Sequence, residues 1–140
     1  MSNEQDHNST VRWARRALLA VCLCAMLICL IYELIFATLG LLAFTSDPMT
    51  IAVYVGLVPL TISTFTFLKW PIATLVIAWF FFILNSIRVW NFSNNDGWFQ
   101  AFLYVHSLEL GFIAASHVGY FGALRYGHLG FRPKKHAIVA

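Results

Sequence analysis

Four apolar runs separated by short polar breaks organise this chain, at roughly 17–44, 51–68, 71–90 and 98–124. A helix needs about 20 residues to cross the hydrocarbon of a bilayer, and the first and last runs somewhat exceed that. Amides facing lipid find no acceptor outside their own helix, so each run is predicted as α-helical. The breaks carry turn chemistry. "TSDPMT" (45–50) supplies Ser, Asp and Pro, "NFSNNDGW" (91–98) is a polar cluster with Asp-Gly, and "KWP" (69–71) sets Pro71 as a first helical residue. Pro59, inside the second run, deprives the Val55 carbonyl of its donor and predicts a kink. Thr61, Ser63, Thr64 and Thr66 stand nearby to hydrogen-bond loosened backbone. The expected fold is all-α, a polytopic bundle of four transmembrane helices in up-down order (17–124). A disordered N-terminal tail (1–16) ending in basic residues and a basic C-terminal tail (125–140) flank it.

Composition agrees with a lipid solvent. The chain is 60% hydrophobic and 11% charged, whereas an ordinary soluble domain carries about 25% charged residues. The length is expected to hold one membrane domain and no folded domain outside it. A net charge of +3 is no argument for nucleic acid, because the basic residues gather at helix ends. Arg12, Arg15 and Arg16 precede the first run, Lys69 lies between the second and third, and Arg125, Arg132, Lys134 and Lys135 follow the fourth. Four spans put all of these on one side, so both termini are expected in the cytoplasm. Arg88 falls toward the other side, with Asp47 and Asp96. Trp13 and Trp70 mark the inner interface, Trp90 and Trp98 the outer one. The first run is too long for a signal peptide's apolar region and contains Glu33, so it reads as a retained helix. The N-terminus lacks the Arg-rich, acid-poor pattern of a transit peptide, which points to a bacterial plasma membrane. Cys22, Cys24 and Cys29 all lie in the first run and read as small apolar filler, not as disulfides or metal ligands.

The fourth run holds the most information. Each helical residue advances about 100°, which gathers His106, Glu109, Ser116, His117 and Tyr120 into an arc of similar width. Beside it runs a small residue at every fourth position: Ser107, Gly111, Ala115, Gly119 and Ala123. Such stripes let helix backbones approach closely where no hydrophobic drive exists. Depth adds a second grouping. Glu33, Arg88, His106 and Glu109, from three helices, fall in the outer leaflet, with Asn85 one turn deeper than Arg88. Intramembrane charges cost about 2.5–3.5 kcal/mol each unless paired. Arg88 is expected to pair with one glutamate, leaving the other to bond His106 or to carry a proton.

Two classes of function follow. In one, the chain is a helix-packing component of a homo-oligomeric or larger membrane assembly, and the polar group is an interhelical clamp. In the other, it is a small proton- or ion-coupled transporter or channel. There Glu33 or Glu109 carries the proton, His106 relays it and Arg88 tunes them. A haem role for His106 and His117, about 16 Å apart along the axis, needs a second helix to supply further histidines. His117 alone reads more simply as a polar anchor on a backbone carbonyl. No metal site is expected. Catalysis finds no support in any H-E-x-x-H, G-x-S-x-G, Walker A or C-x-x-C motif, and the H-x-x-E of His106 and Glu109 is a weak signal. The expected partners are lipid and other membrane subunits, with no nucleic acid.

Overall fold

The computed structural model describes residues 2–43, 47–91 and 96–125. Four α-helices follow in order: α1 (Ser2–Ala43), α2 (Pro48–Phe65), α3 (Pro71–Asn91) and α4 (Asp96–Val118). A π-helical segment, Gly119–Leu124, continues α4. Residues 1, 44–46, 92–95 and 126–140, with His128 and the basic tail after Arg125, lie outside the described residues, as does the side chain of Trp98.

The largest departure from expectation is at the N-terminus. The helix begins at Ser2 and not near residue 17, so the segment expected as a disordered tail belongs to α1. Propagation of a helix costs little once a nucleus exists, and no glycine or proline interrupts the chain before Gly40. The second helix also starts earlier, at Pro48, because Asp47 caps it. The Thr50 amide and hydroxyl both donate to Asp47 Oδ2, at 2.7 and 2.6 Å, and Pro48 stands where a missing amide proton is harmless. At its far end α2 stops at Phe65, and 66–70 form a turn. There the Lys69 and Trp70 amides both donate to the Thr66 carbonyl at 2.9 Å. The helix continues through Pro59. Thr61 donates to the Leu57 carbonyl at 2.7 Å, Ser63 and Thr64 to that of Leu60 at 2.9 and 2.8 Å.

That cap makes a testable contribution. The hydrogen bond from the Thr50 hydroxyl, with help from backbone amides, holds the Asp47 carboxyl below its ordinary value of 3.8. Asp47→Ala is expected to lower unfolding stability by about 0.5–2 kcal/mol, the usual effect of losing an N-cap. Because the folded value is depressed, this stabilisation is complete above the ordinary Asp range and disappears as pH falls through the folded value. Thermal unfolding in detergent, run from neutral to strongly acid pH on both proteins, should show the difference only on the neutral side.

The helices pack in a ring, α1 on α2 and α4, α3 on α2 and α4. The contacts of α2 with α3, and of α1 with α4, run in opposite senses along the two helices. Thr74 of α3 donates to the Ser63 carbonyl of α2 at 2.8 Å near their turn, while Gly56 meets Phe81 and Leu84 farther along. Across α1 and α4, Gly122 lies by Leu18, Gly119 by Cys22 and Gly111 by Cys29. Met26, Leu57, Leu60, Phe81 and Phe112 fill the centre. Phe67, fully buried from the turn, closes the core at the Lys69 end.

Large apolar side chains also cover the outside, among them Val21, Phe65, Phe80 and Trp90. Among the described residues, Ser9–Ala43, Pro48–Phe65 and Pro71–Trp90 are long and apolar enough to cross a bilayer. This is the inside-out surface of an integral membrane protein, with Glu33, Arg88 and Glu109 turned inward.

Candidate functional site

Polar groups that a membrane helix must hide are brought together on the inner face of the ring, toward the end marked by Asp47. Glu33, Asn85, Arg88 and Glu109 are each no more than 3% exposed. The helical period puts them there. Asn85 follows Ala78 and Phe81, both buried residues of α3, at spacings of seven and four, and Glu109 precedes buried Phe112 and Ile113 on α4.

Glu109 is the hub. Its Oε1 accepts from Asn85 Nδ2 at 2.7 Å, and its Oε2 lies 2.7 Å from His106 Nδ1. His106 in turn places Nε2 3.1 Å from the Ser86 hydroxyl, which donates to the Phe82 carbonyl at 2.8 Å. The imidazole is stacked on the Phe82 ring, with centroids 4.1 Å apart and planes 13° from parallel. A chain Asn85–Glu109–His106–Ser86 therefore links α3 and α4. His106 is its most accessible ionisable member, with 18% of its side chain exposed against 4% for Glu109.

Glu33 reaches the same place from α1. It and Glu109 line a cavity of about 10 Å³ whose other walls are apolar, including Leu60, Phe81 and Ile113. Glu33 Oε1 is buried and accepts no hydrogen bond. Arg88, one turn beyond Asn85, lies within electrostatic range of Asp47, Glu33 and Glu109. Its guanidinium lies against the backbone of Gly40 on α1, in space that a methyl group there would occupy.

Other candidates sit apart. His117 hydrogen-bonds the Ile113 carbonyl of its own helix through Nδ1 at 2.8 Å and contacts the rings of Trp79 and Phe121. Both ring nitrogens of His106 are engaged, so service as an axial haem ligand would break one of those bonds. The small-residue stripe divides. Gly119 and Ala123 are buried against α1, Ala115 is half-buried, and Ser107 and Gly111 are exposed. The sequence did not single out Ser86, Phe82 or Gly40. For Ser86 the available signal was its position one residue after Asn85 and four after Phe82, facing the same neighbour.

No protein-family model matches the chain, and neither a curated protein nor a solved structure is significantly similar to it. The function must be read from the site itself.

Proposed function

We propose that this chain is a small proton- or cation-handling membrane protein of four up-down spans, with both termini on the cytoplasmic side. Its ion site is the Glu33–Glu109 pair, tuned by Arg88 and connected outward through His106. The observation that carries this reading is the buried, hydrogen-bond-poor carboxyl oxygen of Glu33 on a cavity shared with a second carboxyl. A purely structural clamp has no reason to leave an acceptor unsatisfied at such depth, where the lost hydrogen bond is expensive. The orientation is supported by Arg12, Arg16, Lys69 and Arg125, all exposed at one end of the ring, with Asp47 at the other. Four spans enclose little volume, so a path across the membrane is completed by a second copy or by other subunits.

A second reading, as a packing component of an assembly, draws on Ser107, an exposed small residue where another helix can approach. One experiment separates the two. Purified protein is reconstituted into liposomes, and ion flux is followed with Glu33→Gln and Glu109→Gln beside the native chain. Ion handling predicts that both variants lose flux while oligomeric mass and melting temperature stay unchanged. Packing predicts the reverse, and retention of flux, mass and stability in both variants would defeat either account.

A further inference from the structure

The protonation pattern of the site identifies its ion. Ser86 has one hydroxyl proton, and it goes to the Phe82 carbonyl. At the 3.1 Å contact the imidazole must therefore donate, Nε2–H to Ser86 Oγ. A neutral imidazole then has a bare Nδ1. The 2.7 Å contact with Glu109 Oε2 needs a proton between them. Either Glu109 is a carboxylic acid donating to Nδ1, or an imidazolium donates to a carboxylate. Both forms hold one proton and carry no net charge as a pair. Moving between them breaks one N–H bond and makes one O–H bond.

The charge balance around Glu33 then becomes simple. The titratable and charged groups facing it are Cys29 on α1, Arg88 on α3 and Glu109 on α4, which with His106 forms a neutral pair; Asp47, ahead of α2, faces Arg88. With Glu33 ionised, its charge offsets Arg88. With Glu33 protonated, Asp47 remains for Arg88. Glu33 thus has two states, and neither leaves the guanidinium without a carboxylate in range.

A metal cation fits this place poorly. A cavity of about 10 Å³ holds no more than a single water, and Glu33 and Glu109 bring the only polar side chains among the described residues that line it. Hard cations such as Ca²⁺ want about six to eight oxygen ligands. Among the described residues no three His, Cys, Asp or Glu side chains come together as metal ligands. A proton needs a single lone pair, and Glu33 Oε1 offers one.

We infer that the ion of this site is the proton, with one proton held between His106 and Glu109 and a second taken up and released at Glu33. The step at Glu33 makes an O–H bond from a proton delivered by water and returns it to water. The inference rests on the ion-handling reading above and sharpens it.

Infrared difference spectroscopy on the purified, reconstituted protein tests it, alongside flux driven by proton and by sodium gradients. Acidification of the native chain should produce a carboxylic C=O band that shifts in D₂O. The band should vanish in Glu33→Gln and move in Glu33→Asp, the second variant guarding against a folding failure in the first. Proton flux should need no sodium. Asp47 and the other carboxyls give bands of their own that are common to both proteins; spectra in which no band of the native chain is lost in Glu33→Gln overturn the inference. Sodium flux without the band overturns it as well but leaves ion handling standing. The Glu33 band with no flux of any ion removes the transport reading and supports the proton assignment.

Discussion

Arg88→Met is expected to destabilise the protein, at a pH where Glu33 is ionised, by about 3–5 kcal/mol, the usual penalty when one member of a buried charged group is removed and its partner is left behind. Arg88 and Glu33 are 3% and 2% exposed, so water cannot take over the role of the guanidinium. The packing loss is small by comparison, since methionine retains an unbranched stem against Gly40. If the penalty is electrostatic, removing the stranded charge should restore stability. The double variant Arg88→Met with Glu33→Gln is therefore expected to recover most of the loss. Arg88→Met with Asp47→Asn should not, because Asp47 is only partly buried at the rim. Unfolding of these proteins in mild detergent, beside the native chain and the single variants Glu33→Gln and Asp47→Asn, gives the coupling directly. Rescue by the Asp47 change, in place of the Glu33 change, would place the stranded charge at the rim and remove the charge balance argued for the site.

The polar cluster is legible in the sequence because period and depth are both simple in a membrane helix. A residue's number fixes its face to within about 100° per step and its height to about 1.5 Å per step. Glu33, Arg88, His106 and Glu109 are conspicuous because so few ionisable residues occur in the apolar runs. Ser86 is not conspicuous. A helix hydroxyl normally satisfies itself on its own backbone, as Ser86 does on Phe82, and only a cross-helix neighbour gives it a further role. Gly40 is hidden for a similar reason. What it does, admitting the Arg88 guanidinium, depends on how two helices meet.

The misread boundaries have physical causes too. Residues 2–16 are polar enough to be read as a solvated tail, yet polarity does not end a helix that glycine and proline leave alone. The start of α2 turned on Asp47, which sequence reading treated as an outer charge and which acts as a cap. The end of α4 widens into a π-helix at 119–124. Even in the regular part of α4 a four-residue spacing drifts about 40° per step at about 100° per residue, so the stripe does not stay on one face. It meets α1 at Gly111 and Gly119 and leaves Ser107 on the surface.

Gly119→Leu follows from that division and is expected to destabilise the protein by about 1–3 kcal/mol, the range for forcing bulk into a filled core. A Cβ at this position would lie 3.3 Å from Cys22 Cβ on α1 and 3.3 and 3.4 Å from the Phe67 ring. The remaining atoms of leucine have nowhere to go unless α4 moves off α1. Backbone strain plays no part, since no glycine among the described residues has a positive φ, so the whole effect is one of space. Gly111→Ala is the internal control on the same stripe. Its Cβ would meet only Cys29 Sγ at an ordinary 3.5 Å, and alanine is a better helix former than glycine by about 1 kcal/mol. It should leave unfolding unchanged or raise stability slightly. Equal losses for Gly119→Leu and Gly111→Ala, measured in the same detergent, would mean that the stripe acts as one continuous packing surface. The close approach of Gly119 to Cys22 of α1 and to Phe67 of the 66–70 turn would then not be what holds this end of the bundle together.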